Sequence, residues 1–267
     1  MVRTLITGSA DGLGLEAARQ LIERKHTVYL HARTPQEAGE AKAKCLSAAG
    51  VFIGDLANIW DTQSLARDIN ARGAFDVIIH NAELLQGPFV DTPEKTIPAR
   101  IPSIAAANVL APYILTCCVT PPKRLIFLGS ELHREADLSS VGDTFWKQRG
   151  EGSFETFQAY CDSKLHVMLL ANAVAKRLKS TSVLSVDPGW VDPEMSRGDA
   201  PGKFQDAVDT YVMLAEGDYD QTLTGKYLEA GMKPSKSLPE CEEDHLQEWV
   251  LEDCERLVQS RDRGYLQ

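Results

Sequence analysis

Tyr160 and Lys164 stand four residues apart in the stretch Tyr160-Cys161-Asp162-Ser163-Lys164. On a helix that spacing puts both side chains on one face, about one turn from each other. A free phenol titrates near ~10, and a neighbouring ammonium favours the phenolate and lowers that value. The pair is therefore suited to give a proton to a carbonyl oxygen or to take one from an alcohol. The spacing alone also fits an ordinary helix with a solvated lysine. The chemistry needs two further parts, a hydride carrier and a group that orients a carbonyl, and the chain offers candidates for both.

The first lies at the N-terminal end. Residues 2–7 (VRTLIT) read as a short buried strand running into Gly8-Ser9-Ala10-Asp11-Gly12-Leu13-Gly14, and then into the helical pattern LEAARQLIERK. Strand, glycine-rich turn and helix together form a site for a pyrophosphate at the positive end of the helix, with glycines allowing the backbone to come close. A second strand, 27–31, ends in Ala32-Arg33. An acid at this place suits a free ribose 2′-hydroxyl and an arginine suits a 2′-phosphate, so Arg33 points to NADP(H) rather than NAD(H). Asp11 is a counter-signal, because its charge would repel a 2′-phosphate. A third strand, 51–54, precedes Asp55-Leu56, where the carboxylate either accepts from an adenine amino group or caps a helix beginning near Asn58. Residues 75–79 form a fourth strand, ending in His80-Asn81-Ala82.

The second part lies further on. Residues 124–128 (RLIFL) make a fifth strand that ends in Gly129-Ser130. A serine at the C-terminal edge of such a strand faces the crevice of an open α/β sheet, so Ser130 is the candidate to orient a carbonyl; Ser139 and Ser140 lie deeper in the following loop. A helix opening near Pro102-Ser103 carries Asn108 and, four residues later, Pro112. Proline has no N–H, so the main-chain oxygen of Asn108 is left without its helical donor. A sixth strand, 181–187, leads to Pro188-Gly189-Trp190-Val191, and 225–229 suits a seventh, edge strand. Alternation of strands and helices of this length predicts one doubly wound, parallel α/β sheet of about seven strands over residues 1–267. Between Ser130 and Tyr160, residues 131–157 form a polar insertion with interleaved aromatic residues. Residues 86–101 read as irregular, 192–203 as a breaker-rich segment that is either able to close over a ligand or an ordinary exposed loop, and 204–216 as a helix. Residues 240–259 read as a covering helix with Leu246, Trp249, Val250, Leu257 and Val258 on its apolar face.

Taken together, TGSADGLG, Asp55-Leu56, Asn81-Ala82 and YCDSK resemble the motif set of the short-chain dehydrogenase/reductase family, over residues 1 to about 230. The resemblance implies a Rossmann fold and a cofactor wall formed by Thr7, Gly8, Ser9, Asp11, Gly12, Leu13, Gly14, Arg33, Asp55, Leu56, Asn81, Ala82, Pro188, Gly189 and Val191. It implies that Lys164 holds the nicotinamide ribose and that Asn108 supports Lys164 through a water. It also implies a homodimer formed through the helices of Asn108 and Tyr160. The insertion and Arg33 are similar to the retinol-dehydrogenase-like branch. Two positions depart from the family pattern: Glu83 stands where a glycine is usual after Asn-Ala, and Pro193-Glu194 stand near where a threonine is common.

The remaining composition fits this reading. A net charge of −10, with acids crowded toward the C-terminus, argues against nucleic acid as a partner. No apolar run is long enough to span a membrane, the six cysteines lack framework spacing and read as reduced thiols of a cytoplasmic protein, and six scattered histidines suggest no metal site. The expected activity is NADP(H)-dependent interconversion of an alcohol and an aldehyde or ketone by Ser130, Tyr160, Lys164 and Asn108. The alternatives are a nucleotide-sensing protein on the same fold, or a dehydratase or epimerase.

Overall fold

Buried runs such as Leu5–Ile6, Val77–Ile79 and Leu125–Leu128 are too short for helices and apolar on both sides, which suits strands covered on both faces. The computed structural model describes residues 1–93, 98–189, 201–258 and 264–266, with backbone alone for 201–203. Its strands are β1 (Arg3–Ile6), β2 (Thr27–Ala32), β3 (Gly50–Ile53), β4 (Val77–His80), β5 (Phe89–Asp91), β6 (Arg100–Pro102), β7 (Arg124–Leu128), β8 (Ser182–Asp187), β9 (Lys226–Glu229) and β10 (Lys233–Ser235). Eight of them form one sheet in the order β10-β9-β8-β7-β4-β1-β2-β3. All pairings in it are parallel except the last, β9 with β10. The strand at 226–229 is therefore not the edge: the chain turns back after it and adds a three-residue antiparallel strand. The proline-rich stretch expected to be irregular carries a small hairpin, β5 with β6.

The helices are α1 (Gly12–Glu23), α2 (Pro35–Lys44), α3 (Ile59–Ala71), α4, α5 (Thr156–Arg177), α6 (Pro201–Glu216) and α7 (Asp244–Val258). Helix α4 is composite: an α segment Ser103–Ala105, a π turn Ala106–Leu110 and an α segment Ala111–Cys118. The wide turn sits around Asn108, four residues before Pro112, where an ordinary i→i−4 bond has no donor. Two apolar clusters cover the two faces of the sheet. Helices α1 and α6 pack on one, and α3, α4, α5 and α7 on the other.

Helix α5 is buried at every residue from Ala159 to Val174. Its outer side is covered by α7 and by the segments around residue 240, with Asn172 donating to the Cys241 carbonyl at 2.8 Å and Arg177 paired with Glu248. The expected apolar face of the tail helix is shifted in register. Gln247, Val250, Leu251, Cys254 and Leu257 are buried, whereas Trp249 is 46% exposed.

Candidate functional site

The chain just past the C-terminal ends of β4, β7 and β8 meets the N-terminal part of α5 at a cleft of about 350 Å³. Its lining includes Glu83, Ser130, Phe157, Tyr160, Asp187 and Gly189. Tyr160 and Lys164 lie on one face of α5, with the ammonium 5.3 Å from the ring centroid. Lys164 is buried and donates to the Leu128 carbonyl at 3.1 Å. Ser130, just past β7, lines the same cleft as Tyr160, its hydroxyl accepting from the Leu132 N–H at 3.2 Å. Its position is fixed by its neighbours. Asp187 accepts from the Glu131 N–H at 2.6 Å, the Tyr227 hydroxyl at 3.1 Å and the Gly189 N–H at 2.7 Å. One carboxylate thus ties the ends of β7, β8 and β9 together beneath the cleft. The His133 ring adds a brace: Nδ1 donates to the Ser130 carbonyl at 2.6 Å and Nε2 accepts from the Leu238 N–H at 3.2 Å. Burial pushes this imidazole below its ordinary pKa, which fits the neutral ring those two bonds require.

Glu83 has a more direct place than its position in the sequence suggests. Its Oε2 accepts from the Tyr160 hydroxyl at 2.9 Å and lies 2.7 Å from the Lys164 ammonium. The phenol is held well above its ordinary pKa, by burial first, then by the Glu83 charge and the hydrogen bond to it, then by Asp187; the nearby Ser130 hydroxyl acts the other way. The Tyr211 hydroxyl on α6 is buried with no hydrogen-bond partner among the described residues, and feels both carboxylates.

The loop that carries Glu83 is anchored on both sides. Asn81 donates to the Thr7 and Gly8 carbonyls, both at 2.9 Å, while the Ala82 N–H donates to the Thr7 hydroxyl at 3.1 Å. On the other side, the Asn108 amide accepts from the Leu84 N–H at 2.7 Å and donates to the Leu84 carbonyl at 3.0 Å. It also donates to Ser163 on α5 at 3.0 Å. The Asn108 side chain therefore fastens the Glu83 loop to the tyrosine helix.

The glycine-rich turn stands beside this group. Gly8 has φ +59° and Gly12 φ +53°. A Cβ on Gly14 would fall 2.7 Å from the Asn81 amide nitrogen and 2.9 Å from the Gly8 carbonyl oxygen, so the turn closes only around glycine. Ser9 donates to the Ile6 carbonyl at 2.8 Å, and Leu13 packs on the core. The Gly8 N–H donates to His31 Nδ1 at 3.0 Å, and His31 Nε2 bonds the Gly54 carbonyl at 3.0 Å, with burial lowering this imidazole to about 4. Asp11 precedes α1 without making a side-chain cap bond, and no acid lies in the helix's first turn. The leading N–H groups of α1 are thus left to an anion, and the turn fits a nucleotide pyrophosphate.

At the far side of this turn, the Arg33 guanidinium pairs with Glu37 at 2.8 Å with its side chain 60% exposed. Asp55 accepts from the Ala57 N–H at 2.9 Å, and Leu56 is buried. Asn58, not Asp55, caps α3, accepting from the Trp60 and Asp61 N–H groups. Pro188 and Gly189 line the cleft, the glycine at φ +77°. Val191, Pro193 and Glu194 lie outside the described residues, as does the 192–203 segment apart from the backbone of its last three residues.

The sequence thus brings Tyr160, Lys164, Ser130, Asn108 and the glycine turn to one place. It did not identify Asp187, His133 and His31 as supports. The one available signal was that each polar side chain stands within or beside an apolar strand or turn. The insertion is a built structure rather than a loose excursion. Arg149 reaches Asp143 at 3.1 Å and Asp162 of α5 at 2.7 Å, and lies 4.0 Å over the Trp146 ring.

Known proteins share this framework. Residues 3–125 match the family model for short chain dehydrogenase. The chain is 55% identical over 258 residues to the short-chain dehydrogenase chyC of Penicillium rubens, covering 97% of this chain and 98% of that protein. It is 51% identical over 260 residues to the short-chain dehydrogenase chry4 of Gibberella zeae, covering 97% of each. More distantly, it is 29% identical over 208 residues to mouse retinol dehydrogenase 11, covering 72% of this chain and 62% of that protein. Among solved structures, a protein from Mycobacterium paratuberculosis aligns with a TM-score of 0.75 at 20% identity, over 98% of this chain and 95% of that one. With its parallel sheet, its glycine turn and its Tyr160–Lys164 helix, and with relatives matching along nearly their whole length, the chain belongs to the short-chain dehydrogenase family.

Proposed function

We propose that this chain is an NADP(H)-dependent oxidoreductase acting between an alcohol and an aldehyde or ketone. The observation that carries the reading is the convergence of the Tyr160 hydroxyl, the Lys164 ammonium and Ser130 at one cleft, beside an uncapped helix N-terminus. The glycine turn 8–14 would hold the cofactor's pyrophosphate, Arg33 its 2′-phosphate and Lys164 its nicotinamide ribose. When bound, the nicotinamide supplies or accepts the hydride. Ser130 orients the carbonyl oxygen, and Tyr160 gives that oxygen a proton as negative charge builds on it. Leu85, Leu128, Leu132 and Phe157 give the cleft an apolar wall, which suits a substrate with an apolar body.

The test is NADPH consumption against a panel of aliphatic, aromatic and terpenoid aldehydes and ketones, with NADPH binding followed by protein fluorescence. Turnover that requires Tyr160 supports the reading. Tight binding with no turnover across the panel supports a nucleotide sensor instead.

Two variants test the cofactor side. Arg33→Ala removes a guanidinium that would make charge-assisted bonds to a 2′-phosphate, and is expected to weaken NADPH binding by about tenfold or more while leaving NADH binding little changed. Equal effects on both cofactors would remove the preference for NADP(H). Gly14→Ala forces a methyl into the Asn81 anchor and is expected to cost about 1–3 kcal/mol of stability, together with most of the cofactor affinity. Unchanged fluorescence titrations would show that the cradle relaxes.

A further inference from the structure

We propose that Glu83 is a fourth member of the acid–base group, a carboxylate that keeps Tyr160 in its proton-donating form. The inference rests on the oxidoreductase reading above and deepens it. One oxygen, Oε2, meets both the Tyr160 hydroxyl at 2.9 Å and the Lys164 ammonium at 2.7 Å. An ionised carboxylate only accepts hydrogen bonds, so the bond to Tyr160 holds the proton on the phenol. With Lys164 alone beside it, the tyrosine would be drawn toward phenolate. With Glu83 between them, the ammonium already has its counter-ion. A glycine at this position has no side chain with which to do either.

The arrangement is built rather than incidental. Asn81 fixes the residues before Glu83 to the Thr7 and Gly8 carbonyls, and Asn108 fixes Leu84 after it by two hydrogen bonds. Lys164 is 2% exposed and Glu83 27%, so the carboxylate forms the edge of the group that faces the cleft. The other titratable groups nearby are Asp187 at the end of β8, which adds negative charge, and Tyr211 on α6. Tyr227 and His133 face Asp187 from β9 and from the start of the insertion.

The sign follows from the charges. Loss of the Glu83 charge lowers the proton affinity of Tyr160. Reduction, which needs the protonated tyrosine, then fails at lower pH. Oxidation, which needs the phenolate, reaches its plateau at lower pH.

The experiment uses Glu83→Gln, which keeps the shape and removes the charge, with Glu83→Gly as the second variant should the first not fold. In the enzyme without cofactor, phenolate absorbance is titrated in four proteins: wild type, Tyr160→Phe, Glu83→Gln and the double variant. The difference between each tyrosine-containing protein and its phenylalanine counterpart isolates residue 160. The expected result is a midpoint for Tyr160 at least about one pH unit lower in Glu83→Gln than in wild type. The alkaline limb of reductive kcat/KM is expected to move the same way. Superimposable titrations, including no ionisation of Tyr160 in either background up to the alkaline limit of the folded protein, would overturn the proposal. If Tyr160→Phe turns over normally, the acid assignment itself fails. If Tyr160→Phe is inactive and the titrations coincide, only the role of Glu83 fails.

Discussion

Tyr160→Phe is expected to lower turnover by about 10²–10⁴-fold while leaving NADPH binding, read by protein fluorescence, near that of the wild type. The substitution removes one oxygen. The ring, 8% exposed, keeps its packing in α5, and Lys164 keeps its bonds to Glu83 and to the Leu128 carbonyl. The loss should appear in kcat and kcat/KM together, as befits an interaction made with the developing oxyanion. A wall residue would raise KM alone. A variant with near-normal kcat would require another proton donor; the other hydroxyls among the described residues lining the cleft are those of Ser130 and Thr156.

Arg149→Met is expected to cost about 3–5 kcal/mol of folding stability. Arg149 is the cation between two carboxylates, Asp143 at 6% side-chain exposure and Asp162 at 2%. Methionine fills a similar volume but leaves both acids buried without it. Asp162 keeps bonds from the Asp137 N–H and the Gln158 amide, and Asp143 keeps those from the Gln148 and Arg149 N–H groups, which softens the loss without supplying a positive charge. In a domain of this size the melting midpoint should fall by roughly 10 °C. Arg149→Lys should recover only part of it, since an ammonium cannot span both carboxylates in the guanidinium's fork. A midpoint within about 2 °C of wild type would mean that the insertion folds independently of this contact.

The parts of the site legible in the sequence were those set by local geometry. Tyr160 and Lys164 share a helix face by spacing alone, Ser130 follows a strand, and Gly8 to Gly14 mark the first turn. Pro112 signalled the freed carbonyl of Asn108, and the chain resolves it with a π turn. Glu83 was legible only as a departure from a pattern. Its direction depends on Asn81 and Asn108, residues on two different elements, and no periodicity encodes where such a loop points. Asp187, His133 and His31 act across strands, so their partners emerge only when the sheet forms. The strand at 233–235 escaped notice because three residues that include a proline carry no alternation to read. In the tail helix the acidic and apolar faces were visible, but the burial of Gln247 in place of Trp249 depends on Asn172 and the Cys241 carbonyl to which both amides donate.

The cover that α7 places over α5 bears on stoichiometry. Helices of this kind can serve as the seam between two copies of a chain, each lending the other the apolar surface it lacks. Here that surface is supplied in cis, by a segment about seventy positions further along the same polypeptide. Tyr160, Lys164, Glu83 and the residues that brace them all belong to one chain. A copy that paired through this side of α5 would have to do so across α7.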